Sequence, residues 1–260
     1  MIEIVALIVI GVIAGLLAGL LGIGGGMVIV PSLTWLLAAR GAGSDVAVPM
    51  AVATSLGTML LTSAASAASH WRRANVDWLA VARLGPAIAV GALLGAAVAA
   101  RIPGDWLARV FALLTAMIAL RMLVGGAHVT RHVPARVRGG LTAGPAIGAL
   151  SAMVGIGGGS FSVPFLTWNG YSTLKAVGIA AACGWPIAAA GSAAFLVAGW
   201  GRVDWPGSVG FWYVPGVVVI GICGSLTAPL GARLAHRLGS AGLARAFGVF
   251  LLAVAVRMAL

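Results

Sequence analysis

Two glycine runs are the residues best placed to do chemistry. Gly24, Gly25 and Gly26 close the run GIGGG at 22–26, and Gly157, Gly158 and Gly159 close the same run at 155–159. Both lie in apolar stretches, and each is followed five residues on by a proline, Pro31 or Pro164. Three consecutive glycines inside hydrocarbon forfeit helix propensity, about 1 kcal/mol each relative to Ala. They also leave backbone N–H and C=O groups that lipid does not satisfy, so such a break survives only under protein or beside a water-filled cavity. A helix starting just after the break presents free N–H groups and the positive end of its dipole, which suits an anion. Glycine lets that backbone approach a ligand with no side chain between. The expected chemistry is therefore backbone binding of a small anion, one half-site per run, near the membrane midplane.

Close helix packing is the competing use of small residues in a membrane. Recurrence of the whole run together with its proline favours the ligand site. Soluble phosphate motifs do not apply: no Gly-Lys-Ser/Thr follows either run, and Met27 and Ser160 stand where a dinucleotide fingerprint needs glycine.

Hydroxyls could complete such a site. Thr34, Thr167, Ser160 and Ser162 flank the runs, although Ser and Thr in helices also bond their own carbonyls. Thr54 and Ser55, in the next apolar stretch, are favoured as ligands. Asn169 reads as a cap, and Asp77 and Asp204, which follow Arg73 and Arg202, as caps or loop ion pairs. His70 reads as interfacial, and Arg109 and Arg245 as side chains that snorkel from helix ends. Lys175 opens a stretch beside the second run. Catalysis finds no foothold. His70, His128, His132 and His236 all fall at ends or in loops, and Cys183 and Cys223 sit in apolar stretches without metal-ligand spacing. The expectation is no enzyme, no cofactor and no metal.

The elements holding these residues follow from composition. The 260 residues are 61% hydrophobic and 8% charged, with a mean hydropathy of +1.10. Soluble domains are about 25% charged, and disordered chains lack this apolar content, so the chain is a polytopic integral membrane protein. Its net charge of +11 comes from scattered single residues without a basic stripe, so nucleic acid is not an expected partner. The start, Met1-Ile-Glu-Ile-Val, lacks a basic leader region and is read as retained.

Apolar stretches fall at 4–39, 46–69, 78–100, 106–124, 139–168, 176–198, 209–230 and 243–256, with a polar, basic linker at 125–138. The halves repeat. Residues 22–35, GIGGGMVIVPSLTW, and 155–168, GIGGGSFSVPFLTW, share ten of fourteen positions. Val76-Asp77-Trp78 recurs as Val203-Asp204-Trp205, and Leu107-Ala-Arg109-Val-Phe111 as Leu243-Ala-Arg245-Ala-Phe247. The expected organisation is one transmembrane domain, 1–260, with repeat one at 1–124, linker 125–138 and repeat two at 139–260. Residues 4–21 give roughly 27 Å of helix and residues 28–39 only roughly 18 Å at 1.5 Å per residue, which predicts a re-entrant hairpin in each half. With returning hairpins the halves are inverted, and eleven Arg and Lys residues collect on one side against five on the other. With hairpins that cross once, the same count is nine against seven. Positive-inside bias favours inversion.

The GIGGG runs with Val-Pro following, and the Val-Asp-Trp loops, resemble the sulfite exporter TauE/SafE family of membrane permeases over nearly the whole chain. The resemblance implies an all-α multi-pass protein of the inner cell membrane that moves small sulfur-containing anions such as sulfite or organosulfonates. Thr54-Ser55 fits the Thr-Ser pair common in the family's first half. The second half departs, reading Ala-Ala-Ala-Cys-Gly-Trp-Pro at 180–186. The expected partners are a small anionic substrate and membrane lipid, with a homodimer left open. The expected function is a secondary transporter working by alternating access between the two hairpin turns; an anion channel or facilitator is the alternative.

Overall fold

The computed structural model describes the backbone of residues 2–21, 25–124, 137, 139–238 and 240–259, and their side chains except at 20, 21 and 232–244. Gly24, and the linker 125–138 apart from Val137, lie outside the described residues, as do His128, His132, Arg131, Arg136 and Arg138.

Among the described residues the protein is all-α save for one tiny hairpin. The order is α1 (Ile2–Leu21), α2 (Gly26–Ala39), α3 (Ser44–Trp71), α4 (Trp78–Ala99), α5 (Gly104–Val124), α6 (Gly140–Val154), α7 (Gly159–Trp168) and α8 (Thr173–Gly199). Then come β1 (Ser208–Val209), β2 (Trp212–Tyr213), α9 (Val214–Leu238) and α10 (Ser240–Ala259). Among the described residues, six helices (α1, α3, α4, α5, α8 and α9) are long and apolar enough to cross a bilayer, whereas α2 and α6 are shorter apolar helices. The apolar stretch expected at 209–230 is thus split. Its first residues form the antiparallel pair β1–β2, with Ser208 opposite Tyr213, and the helix starts at Val214. Gly207 and Gly210, at positive φ, and Pro206 before them supply the turn chemistry.

Close contacts show how six of the helices run relative to one another. Gly11 and Gly15 of α1 lie against Ile220 and Gly224 of α9, so these two run parallel. Gly91 and Gly95 of α4 lie against Pro145 and Ala149 of α6, again parallel. Helices α3 and α8 cross antiparallel, Gly184 facing Ser63 and Gly191 facing Leu56. Each half's first helix therefore packs on the other half's fourth. Small residues permit this close approach where lipid offers no hydrophobic drive.

Both hairpins return to the end they start from. Glu3, near the start of α1, is ion-paired with Arg40, the C-cap of α2. Helix α6 starts beside Leu84, in the second turn of α4, and Tyr171, just beyond α7, donates a hydrogen bond to Asp77, the N-cap of α4. Helix α3 is the hub, 72% of its best span being buried against 22% for α1. Outward-facing Leu93, Leu94, Val98, Leu113, Met117 and Leu120 are exposed, as lipid-facing side chains must be.

Candidate functional site

The two glycine turns meet. A Cβ at Gly26 would overlap the carbonyl oxygen of Gly155 and come within 3.0 Å of the Ser55 Oγ. Ser55 donates its hydroxyl to that same Gly155 carbonyl at 2.7 Å, a fully buried hydrogen bond. Gly155 is the C-cap of α6 with φ +64, a left-handed conformation that glycine takes without strain, and its own Cβ position lies 3.1 Å from Val30 Cγ2. At Gly26 and Gly155 glycine thus serves contact between the turns.

Beyond the contact, each turn opens into a short helix with the same geometry. Gly25 caps α2 at φ −74, ψ −11, and Gly158 caps α7 at φ −54, ψ −16; neither start carries a side-chain cap hydrogen bond. The first backbone bond of full helical span at each start is Ile29 to the Gly25 carbonyl, 3.0 Å, and Ser162 to the Gly158 carbonyl, 2.7 Å. Ahead of these, the Val28 N–H also reaches the Gly25 carbonyl at 3.0 Å, whereas the other leading N–H groups have no preceding helical turn to supply an acceptor. Pro31 and Pro164 stand sixth in α2 and α7, inside the helices. Lacking an N–H, each leaves the carbonyl four residues back, of Met27 or Ser160, without its helical donor.

Side chains distinguish the two starts. Met27 and Ile29 fill the first turn of α2 and are buried, and the matching positions of α7 are Ser160 and Ser162. The Oγ atoms of Ser160 and Ser162 are buried without a hydrogen-bond partner, and Ser162 Oγ lies 3.3 Å from the Cβ position of Gly158. Thr34 Oγ1 is likewise buried and unpartnered, whereas its counterpart Thr167 donates to the Pro164 carbonyl at 2.9 Å. Thr54 accepts from the Tyr213 backbone N–H at 3.0 Å and keeps its own O–H to donate; Ser55 has spent its hydrogen on Gly155.

The sequence also matches a known family. The family model described as Sulfite exporter TauE/SafE aligns with residues 7–258. The chain belongs to that family. Relatives of similar length include a probable membrane transporter protein of Haemophilus influenzae, 35% identical over 257 residues and covering 96% of both chains. A probable membrane transporter protein of Xylella fastidiosa is 30% identical, covering 95% of this chain and 91% of its own. No solved structure matches. Family and relatives make this a multi-pass membrane transporter.

Around these hairpins lie polar contacts, of which only the caps at Asp77 and Asn169 were expected. At the end where α1 begins, Glu3 accepts from both Arg40 and the Tyr213 hydroxyl, and the Arg40 guanidinium lies 5.7 Å from the centre of the Trp205 ring. At the end where α4 begins, Asp77 accepts the Leu79 and Ala80 N–H groups through Oδ1 and the Tyr171 hydroxyl through Oδ2. Burial, then the charge and hydrogen bond of Asp77, hold the Tyr171 phenol above its usual range, against the opposing pull of Arg83. Asp77 is thus a helix cap, and Asn169 bonds the Phe165 carbonyl at the end of α7. Arg109 lies over Trp106 on its own helix, and Lys175 is exposed. Among the described residues, no group of three His, Cys, Asp or Glu side chains is disposed to hold a metal.

Proposed function

We propose that this protein is a secondary transporter of small anions, sulfite or an organosulfonate first among them, working by alternating access in the inner cell membrane as two inverted repeats. It has no catalytic role. The observation that carries the reading is the start of α7: the unpaired Ser160 and Ser162 hydroxyls, 0% exposure at Ser162, and a helix N-terminus without a cap side chain. Two buried hydroxyls without a partner, beside the leading N–H groups of a helix, favour an oxyanion, since each buried unpaired polar group otherwise costs about 1–3 kcal/mol. Thr54, with its free O–H, is the first-half contribution, and Gly25 and Gly26 form the opposing wall. The family name supplies the substrate class.

Inversion is supported by the exchange of partners between halves, α1 on α9 and α6 on α4, and by the antiparallel α3 and α8. Arg72, Arg73, Arg83, Arg121 and Lys175 share one end of the bundle, which positive-inside bias assigns to the cytoplasm. The test is a thermal-shift screen of purified protein against sulfite, sulfate, thiosulfate, taurine and sulfoacetate, because a ligand of the native state raises its melting point. A shift with one of these anions, abolished in Ser160→Ala/Ser162→Ala, is expected. A shift that survives that double substitution moves the site elsewhere. Counterflow of labelled anion in proteoliposomes then distinguishes a carrier from a channel.

A further inference from the structure

The chain has two tyrosines in 260 residues, and each hydroxyl is bound to a carboxylate. Tyr213, on β2, reaches Glu3 of α1; Tyr171, in the loop after α7, reaches Asp77 before α4. Both bonds join one repeat to the other. Both tyrosines are nearly buried, at 3% and 5% exposure. They lie at opposite ends of the bundle, because Arg40 and Glu3 precede the start of α3 and Asp77 follows its end, with 28 residues, about 42 Å of helix, between. The carboxylate in each case is also tied to its own half, Glu3 through Arg40 and Asp77 through the Leu79 and Ala80 N–H groups.

Tyr213 has a second attachment. Its backbone N–H is held by Thr54 Oγ1, in the candidate site, while its hydroxyl is held at the bundle end. A ligand that draws on the Thr54 hydroxyl therefore acts on the residue that bridges the halves. Tyr171 stands in the same relation to the second hairpin, since its N–H closes on the Leu166 carbonyl at the end of α7.

We propose that Tyr213–Glu3 and Tyr171–Asp77 are the two gates of the transport cycle, each a tyrosine–carboxylate latch between the repeats, and that access from either side requires opening one while the other stays closed. Both are made in this structure, which is the occluded arrangement. The proposal rests on the transporter reading, but its test needs no substrate.

A single cysteine at Ser160→Cys, in a Cys183→Ala/Cys223→Ala background, reports solvent access to the start of α7. Full-length protein in oriented proteoliposomes is treated with a membrane-impermeant methanethiosulfonate from one side at a time. A hydrogen bond to a charged group shifts an equilibrium by about tenfold or more. Tyr213→Phe is thus expected to speed labelling about tenfold from the Glu3 side alone, and Tyr171→Phe from the Asp77 side alone. Glu3→Gln and Asp77→Asn should reproduce the two patterns, and they serve where a Phe variant fails to fold by its unfolding profile. Unchanged labelling, or equal gains from both sides, overturns the latches. One-sided gains in a protein that binds none of the five anions keep the latches and reject the anion reading.

Discussion

The first and second hairpins share a motif, a helix-start conformation and a proline position, yet their side chains differ. In α2 almost every residue from Gly26 to Leu33 is buried, and Met27 and Ile29 fill the space beside the turn. In α7, ten residues against fourteen, only Ser162, Leu166 and Thr167 are buried, and serines replace both fillers. The first turn is a packed wall and the second a lip lined by serines. The two copies of the motif differ at four of fourteen positions, enough to change the lining while the glycines and the proline are kept.

The largest effect expected from that contrast is on folding. Gly26→Val places carbon onto the Gly155 carbonyl, a backbone atom that cannot swing aside, and should cost about 3 kcal/mol or more. Gly158→Ala meets the Ile187 Cδ1 at 3.0 Å, the far end of a flexible side chain, and should cost about 1 kcal/mol or less. Fluorescence-detected gel filtration after a heating series reads both. Equal losses would erase the distinction between wall and lip.

Binding should divide the other way. Ser160→Ala and Ser162→Ala each remove a donor to an anion, worth about 1.5–3 kcal/mol or roughly tenfold or more in Kd, with little loss of fold because the hydroxyls have no protein partner. Met27→Ser with Ile29→Ser, the same polarity written into α2, should lower stability and add no affinity. Titration of the tightest-binding anion against each purified variant measures this; a gain in affinity from the α2 serines would make the half-sites equivalent.

Ser55→Ala is intermediate. It leaves the Gly155 carbonyl buried without its donor, costing about 1–3 kcal/mol, and loosens the contact between turns. A melting point unchanged from wild type would mean the hairpins hold together without that bond.

Sequence made the membrane class, the repeat and the Gly-broken hairpins readable, because each leaves a local signature: hydropathy, self-similarity and helix-breaking residues at spacing. Thr54 and Ser55 were singled out, but what they bind was not, since Tyr213 is 159 residues from Thr54 and Gly155 is 100 from Ser55. The stretch at 209–230 reads as continuous hydrocarbon, and hydropathy alone is blind to the two-residue strands that bring Tyr213 to Thr54. Glu3 and Arg40 look like ordinary end residues until the hairpin closes. The packing role of Gly26 is equally silent in sequence, where a glycine that touches a ligand and one that touches a neighbouring turn are the same letter.

The smallest effect tests the far end of the second hairpin, where the first ends in an ion pair and the second in a phenol. Tyr171 has a raised pKa, from burial first and from Asp77 second. Its neutral form is favoured in the native state, so its contribution to stability is complete below the ordinary phenol value of about 10. That contribution fades as pH climbs through the higher native value. In Tyr213→Phe, Tyr171 is the sole phenol, and its tyrosinate absorbance should rise at a pH above that of a free tyrosine. Asp77→Asn in the same background keeps a competent cap but removes the charge, so the midpoint should fall part of the way back. A midpoint that does not move would detach Tyr171 from Asp77 and leave the second hairpin with no tie to the loop before α4.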